Sequence, residues 1–342
     1  MNKSKRVVVG ISVGDINGVG VEIILKTFSD KRILDFCTPV LFASNKTISL
    51  HKKILNIDTP INKTSSLDQL NPNKINLLNV WNEDVQVEIG EATPTGGNYA
   101  LKSLEAAVQA LDNKKIDLLV TAPINKNTIQ SDSFTFPGHT EYLESKLEGE
   151  ALMILMAGNL KVALLTGHIP IQDVSKTITS ELIHKKVNLL YRSLQQDFSI
   201  AKPKIAVLSI NPHAGDNGVI GNEDKTIVIP AIDDLQKKGM QIYGPYPSDS
   251  FFGSENYKNF DAILAAYHDQ GLTAFKTLSF GMGVNFTAGL NRVRTSPDHG
   301  TAFDIAGKNE ADASSFKEAL FTGISIFNNR AQNNNLEKNA LK

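Results

Sequence analysis

Cysteine is nearly absent from this 342-residue chain, where Cys37 stands alone. No intrachain disulfide can form, and no cysteine-built zinc site is available. An excess of charge of either sign is missing too. With 35 basic and 36 acidic side chains the formal net charge is −1, which argues against a nucleic-acid groove or a polybasic membrane surface. The pairs Lys114-Lys115 and Lys185-Lys186 read as solvated helix ends. Long apolar runs are lacking as well. Lys3, Lys5 and Arg6 are followed only by Val7–Val9 before Gly10, too short for a secretory signal, and no stretch approaches a membrane span. The expected compartment is the cytoplasm. No internal repeat or low-complexity linker is visible before the C-terminus.

What is present is the composition of a soluble globular protein, 41% hydrophobic and 21% charged. The length predicts two domains. Arg6–Ser12, Val40–Ala43, Ile75–Val80 and Leu118–Thr121 are short β-branched or apolar runs that read as buried strands. Asn98–Asp112 carries Leu101, Leu104, Val108 and Leu111 on one stripe, a helix. Glu181–Gln196 and Thr226–Lys238 read as two more, and Ser315 to Glu318 forms a capping box for a last one. Asn328–Lys342 is rich in Asn and Lys and is expected to fray. Strands alternating with helices predict an α/β fold with a mostly parallel sheet. The Gly-rich turn Gly14–Gly20, between a strand and a helix starting near Glu22, lacks the G-x-G-x-x-G spacing. It could cradle an anion or simply be a tight turn needing positive φ.

Chemistry concentrates between Asp261 and Gly307. Two apolar runs, Ala262–Ala266 and Val284–Ala288, alternate there with His268, Asp269, Lys276, Asn285, Arg294, Asp298 and His299. Ionisable groups at strand ends are the signature of an α/β active site. A recurring pattern sharpens this. Val162–Leu165 leads to His168, Ile205–Ile210 to His213, and Ala262–Ala266 to His268. In a parallel sheet those strand ends share one edge, so three imidazoles could converge on a divalent metal with an open position. His139 and Thr140 follow Gly138 where a helix is expected to start, a setting that suits a phosphate or carboxylate. Tyr243–Phe252 reads as a turn-rich loop carrying Asp249, a candidate base.

The stretches GDINGVG, TAPINK, FPGHTEYL, TGHIP, NPHAGDNG, AYHDQG, FGMGVN and RTSPDHGTAFDIAG run in order from Gly14 to Gly307. Together they resemble the 4-hydroxythreonine-4-phosphate dehydrogenase family of pyridoxal phosphate biosynthesis. The resemblance implies an isocitrate/isopropylmalate dehydrogenase-like fold of two α/β/α domains with an active-site cleft between them. One domain would comprise residues 1–130 and 300–342 with the cofactor loop. The other, residues 131–299, would hold metal and substrate residues and the dimer interface. His168, His213 and His268 would bind one divalent metal (Zn, Mg, Mn or Co). His139, Thr140, Lys276, Asn285 and Arg294 would hold the phosphorylated substrate.

The segment from His299 to Gly307 is similar to the cofactor loop of isopropylmalate and isocitrate dehydrogenases. His299, Gly300, Thr301, Ala302 and Asp304 would therefore contact NAD or NADP, with Asp304 facing the adenosine. Those relatives bind metal through aspartates, so the histidines mark a separate branch. Ile16 and Val21 stand where the family usually has prolines, and Asp312 where an Asn is usual. The implied reaction is NAD-dependent oxidation of 4-phosphooxy-L-threonine at its C3 hydroxyl, then decarboxylation to 3-amino-2-oxopropyl phosphate. Asp249, ahead of Asp269, would take the hydroxyl proton, with Lys276 as a fixed cation beside it. A homodimer completing each metal site across its interface is implied too. A sister group acts on threonate or erythronate 4-phosphate with nearly the same motifs. A metal-dependent hydrolase or lyase, and a nonenzymatic binder of phosphorylated metabolites, are the readings outside the dehydrogenases.

Overall fold

The computed structural model describes residues 6–339. Lys3, Lys5 and the last three residues of the tail lie outside them. The strands are β1 Val7–Ser12, β2 Cys37–Ala43, β3 Ile61–Thr64, β4 Ile75–Asn79, β5 Leu118–Thr121 and β6 Gly149–Ala157. They continue as β7 Leu160–Leu164, β8 Lys204–Leu208, β9 Gln241–Tyr246, β10 Ala262–Ala265, β11 Val284–Leu290 and β12 Val293–Pro297. Two compact units result. Unit 1 is Met1–Ala151 with Val284–Phe286 and Leu290–Phe327; unit 2 is Leu152–Gly283 with Thr287–Gly289 and Asn328–Lys342. His139, Thr140, Asn285 and Arg294 thus belong to unit 1, and the three strand-end histidines to unit 2.

In unit 1 the strands lie in the order β3-β4-β2-β1-β5-β12, with every neighbouring pair parallel. Strand β1 (VVVGIS) is buried at all its positions, as a strand flanked on both sides requires. Against this sheet packs the helix Pro94–Asp112. Its N-cap Thr93 accepts a hydrogen bond from Gly96 N at 3.1 Å, and a proline opens the first turn. Leu101, Leu104, Val108 and Leu111 face inward, meeting Val8, Phe42, Leu119, Phe134 and Tyr142. Each such fully buried side chain stabilises by about 1.5–3 kcal/mol.

In unit 2 the order is β6-β7-β10-β8-β9. β6 and β7 are antiparallel, turning at Gly158-Asn159, and the rest are parallel. Its core joins Val162, Leu164, Ala206, Leu208 and Ile263 to Leu272 and Phe275 of the helix His268–Ser279. This is the α/β architecture with a mostly parallel sheet that the sequence predicts.

Some local expectations change. The stretch predicted as a loop from Tyr243 forms the end of β9 and the helix Ser248–Gly253. The predicted helix Thr226–Lys238 opens as a π-helical turn, Asp224–Val228, before regular helix at Ile229–Lys237. The last helix starts at Ser314, where Asp312 Oδ1 accepts from Ser314 N at 2.9 Å. Ser315 Oγ serves Asp298 N instead at 3.3 Å, so the predicted capping box is replaced by an Asp turn. That helix continues to Asn339 rather than fraying from Asn328. The reason is tertiary: Asn329 Nδ2 donates to Asp197 O at 2.7 Å and Arg330 Nε to Asp197 Oδ1 at 2.5 Å.

Candidate active site

In unit 2 the three histidine-bearing strands are neighbours. β10 lies between β7 and β8, parallel to both, with Ala265 opposite Leu164 and Leu264 opposite Val207. The shared register brings the segments leading to His168, His213 and His268 off one sheet edge. Two of the imidazoles meet there: the His168 and His268 rings are 5.1 Å apart between centroids, tilted by 43°. His268 Nδ1 is 2.7 Å from Asp269 Oδ1. A carboxylate only accepts, so this contact places the proton on Nδ1 and leaves Nε2 as a lone-pair donor. His213 is exposed and begins a run of left-handed residues extending to Asn217, with φ of 53° at His213 itself. Among the described residues no group of three or more His, Cys, Asp or Glu side chains is gathered into a metal-holding set. The paired imidazoles suit a divalent transition cation by donor chemistry, and His213 does not join them.

Asp249 is exposed in the first turn of its helix, and Lys276 is exposed in the last turn of the helix that His268 opens.

In unit 1 the residue that dominates is Arg294 on β12. It is 2% exposed and heads the largest fully buried side chains. Its Nε and Nη2 donate to Thr121 Oγ1 at 3.0 and 2.6 Å, so the C-terminal residue of β5 anchors it. Burial pushes the guanidinium down to about 9, opposed by the Glu141 carboxylate. It stays charged at neutral pH. His139 opens the helix His139–Lys146, which Gly138 precedes; Thr140 follows, half-buried. The His139 ring is half-buried, but its Nε2 is covered and has no hydrogen-bond partner among the described residues. Burial, then the positive charges of Arg294 and Lys126, hold His139 well below the usual imidazole range. Asn285 on β11 has a buried Oδ1 that also lacks a partner among the described residues.

The buried guanidinium, with Lys126 and the His139 ring near enough to act on each other electrostatically, makes a cationic setting that suits a phosphate. Thr121 and Lys126 escaped the sequence reading. The only signal was their place in and after a short strand, and their approach to Arg294 and His139 is a tertiary fact.

The loop from His299 is fixed from below. Thr301 O accepts from Val19 N at 3.0 Å, and a Cβ on Gly18 would lie 2.8 Å from that oxygen. His299 Nδ1 faces Gly300 O at 3.0 Å, while its buried Nε2 has no partner among the described residues. Ala302 is left-handed with φ 43°, and Asp304 is exposed. An exposed acid and an unsatisfied imidazole nitrogen on a rigidly seated loop fit a nucleotide's polar groups.

The Gly14–Gly20 stretch is a tight turn with four of its N–H groups bonded within the protein: Asp15 N donates to Pro123 O, Asn17 N to Asp15 Oδ1, Gly18 N to Asp15 O and Val19 N to Thr301 O. Its glycines serve close approach; a Cβ on Gly14 would lie 2.2 Å from Pro123 O.

Residues 35–322 match the family model of the pyridoxal phosphate biosynthetic protein PdxA. The chain belongs to the PdxA family. A 4-hydroxythreonine-4-phosphate dehydrogenase of Bacteroides thetaiotaomicron is 47% identical, covering 99% of this chain and 94% of that protein. A protein of Oceanobacillus iheyensis, provisionally named a D-threonate 4-phosphate dehydrogenase, is 37% identical over 94% of this chain and 98% of its own length. The crystal structure of the 4-hydroxythreonine-4-phosphate dehydrogenase from Klebsiella pneumoniae superposes with a TM-score of 0.79 at 30% identity, covering 96% of this chain and 99% of that one. This PdxA family member is therefore a dehydrogenase. Among the described residues no helix is long and apolar enough to cross a membrane.

Proposed function

We propose that this PdxA protein oxidises 4-phosphooxy-L-threonine at its C3 hydroxyl with NAD and releases CO2, giving 3-amino-2-oxopropyl phosphate for pyridoxal 5'-phosphate biosynthesis in the cytoplasm. The observation that carries this reading is the buried guanidinium of Arg294, held by Thr121 beside Lys126 and the unsatisfied Nε2 of His139. Arg294, His139, Thr140 and Asn285 bind the phosphate end, and a planar guanidinium favours that bidentate oxygen pattern.

His168, His213 and His268 would hold a divalent metal, with His168 and His268 side by side in one chain and the set completed by a homodimer. A metal held there would supply Lewis-acid polarisation of the substrate's oxygen atoms. Asp269 orients His268 through Nδ1. Asp249 takes the hydroxyl proton at a carboxylate oxygen, and Lys276 supplies positive charge to the leaving end. His299, Gly300, Thr301, Ala302 and Asp304 would seat NAD, which would supply the hydride acceptor.

The Oceanobacillus relative's name supports a second substrate, D-threonate 4-phosphate. The two are separated by following NADH absorbance with 4-phosphooxy-L-threonine and with threonate and erythronate 4-phosphates, before and after chelation and with Zn, Mg, Mn or Co restored. Reduction of NAD by the amino substrate, lost on chelation and regained with metal, is the expected result. Absence of NADH from all three substrates under every metal condition rejects the reading.

A further inference from the structure

Where β10 and β8 run out, their backbone ladder is continued by one side chain. Ala266 N donates to Gln270 Oε1 at 2.7 Å, and Gln270 Nε2 donates to Ser209 O at 2.7 Å. The amide thereby stands in for a strand residue between the two tips. The other tip is tied to the same point: Thr166 Oγ1 and N both donate to Ala266 O, at 2.8 and 3.2 Å. Beyond Ser209, the fully buried Asp224 accepts from Ile210 N at 2.8 Å and Asn211 N at 2.9 Å. Thr166, Ala266 and Asn211 each precede a histidine by two residues. One network of short bonds therefore fixes the backbone from which His168, His268 and His213 depart, with Gln270 as its only side chain bridging β10 to β8 in these contacts.

From this we infer that Gln270 is a positioning residue of the metal site, a role that rests on the metal reading given above. The chemistry requires an amide. Ala266 N needs an acceptor and Ser209 O needs a donor, and Gln carries both on one rigid group. A carboxylate keeps the acceptor but turns a lone pair toward Ser209 O; a thioether supplies neither bond. Either change frees the tips to separate, and imidazoles displaced by a fraction of an ångström bind metal less tightly. Loss of such supporting contacts weakens metal affinity roughly 10- to 100-fold.

The test uses the full-length protein with Co(II) as the probe, read by its visible absorption and by competition with a chelator, beside NAD affinity from calorimetry. Gln270→Glu is nearly isosteric and Gln270→Met removes both hydrogen bonds, so folding is checked on two chemically distinct variants. The expected result is Co(II) binding weakened tenfold or more in both, with an altered Co(II) spectrum and NAD affinity within twofold of wild type. Wild-type Co(II) affinity and spectrum in both variants would overturn the positioning role. So would parallel loss of Co(II) and NAD affinity, which marks a merely structural residue. If the wild-type protein itself takes up no Co(II), the metal reading fails first and takes this inference with it.

Discussion

Nδ1 of His268 and Oδ1 of Asp269, adjacent in the chain, are joined by a 2.7 Å hydrogen bond at the mouth of the His268–Ser279 helix. The contact selects one tautomer and aims Nε2 outward, although the Asp269 side chain is itself 84% exposed. Exposure limits what the bond contributes to folding, but not its control over the ring. Asp269→Asn can still accept through its amide oxygen, yet it loses the charge that raises ligand basicity. The expected outcome is Zn affinity about tenfold weaker with the unfolding midpoint unchanged. Chelator competition measures the first and calorimetry the second; equal Zn affinity would remove Asp269 from the site's support.

Arg294 provides a sharper test because its charge is buried. Lys in its place keeps the positive charge but not the planar pair of donors that reaches Thr121 Oγ1. Arg294→Lys is expected to raise KM for the phosphorylated substrate about 30- to 100-fold, equivalent to about 2–3 kcal/mol, while leaving NAD affinity unchanged. Steady-state kinetics with each substrate varied in turn decide it. A substrate KM within threefold of wild type would exclude Arg294 from phosphate binding.

Much of the architecture was legible because buried parallel strands advertise themselves as continuous apolar runs, and Leu118–Thr121 was predicted with its observed bounds. The strands that escaped notice include β3 (INKT) and β9 (QIYGPY), each at an end of its unit's strand order, where partial exposure dilutes the pattern. The common edge of the histidine strands was legible as well, since a residue past a strand end inherits the register of its sheet. The support of that edge was not. Gln270 reads as one more polar helix residue until Ser209 O approaches it from 61 positions away. The same holds for Arg294, whose hydrogen-bond partner Thr121 lies 173 positions away.

His139 should report anion binding directly. Its pKa is depressed first by burial and then by Arg294 and Lys126. A phosphate anion bound beside those cations cancels their repulsion, so the imidazole pKa must rise. NMR titration of His139 is expected to show a value below 6.5 in the free protein and an upward shift when inorganic phosphate or substrate is added. A His139 titration curve that phosphate leaves in place would put the anion elsewhere.

Acid stability turns on His51, which is 2% exposed and donates through Nε2 to Ile16 O at 2.9 Å. Burial, only partly offset by that bond, lowers its pKa from 6.5 to about 4. The sign follows from proton counting. Between those values the unfolded chain binds a proton that the folded chain refuses, so stability is full above about 6.5 and falls as pH drops toward about 4. The loss from this one group is on the order of 3 kcal/mol. His51→Gln can keep the donor to Ile16 O without a titrating nitrogen. It should flatten the denaturant-unfolding free energy across that window relative to wild type, at the expense of some packing at neutral pH. A wild-type slope retained in the variant would assign the acid sensitivity to other buried bases, His139 first among them.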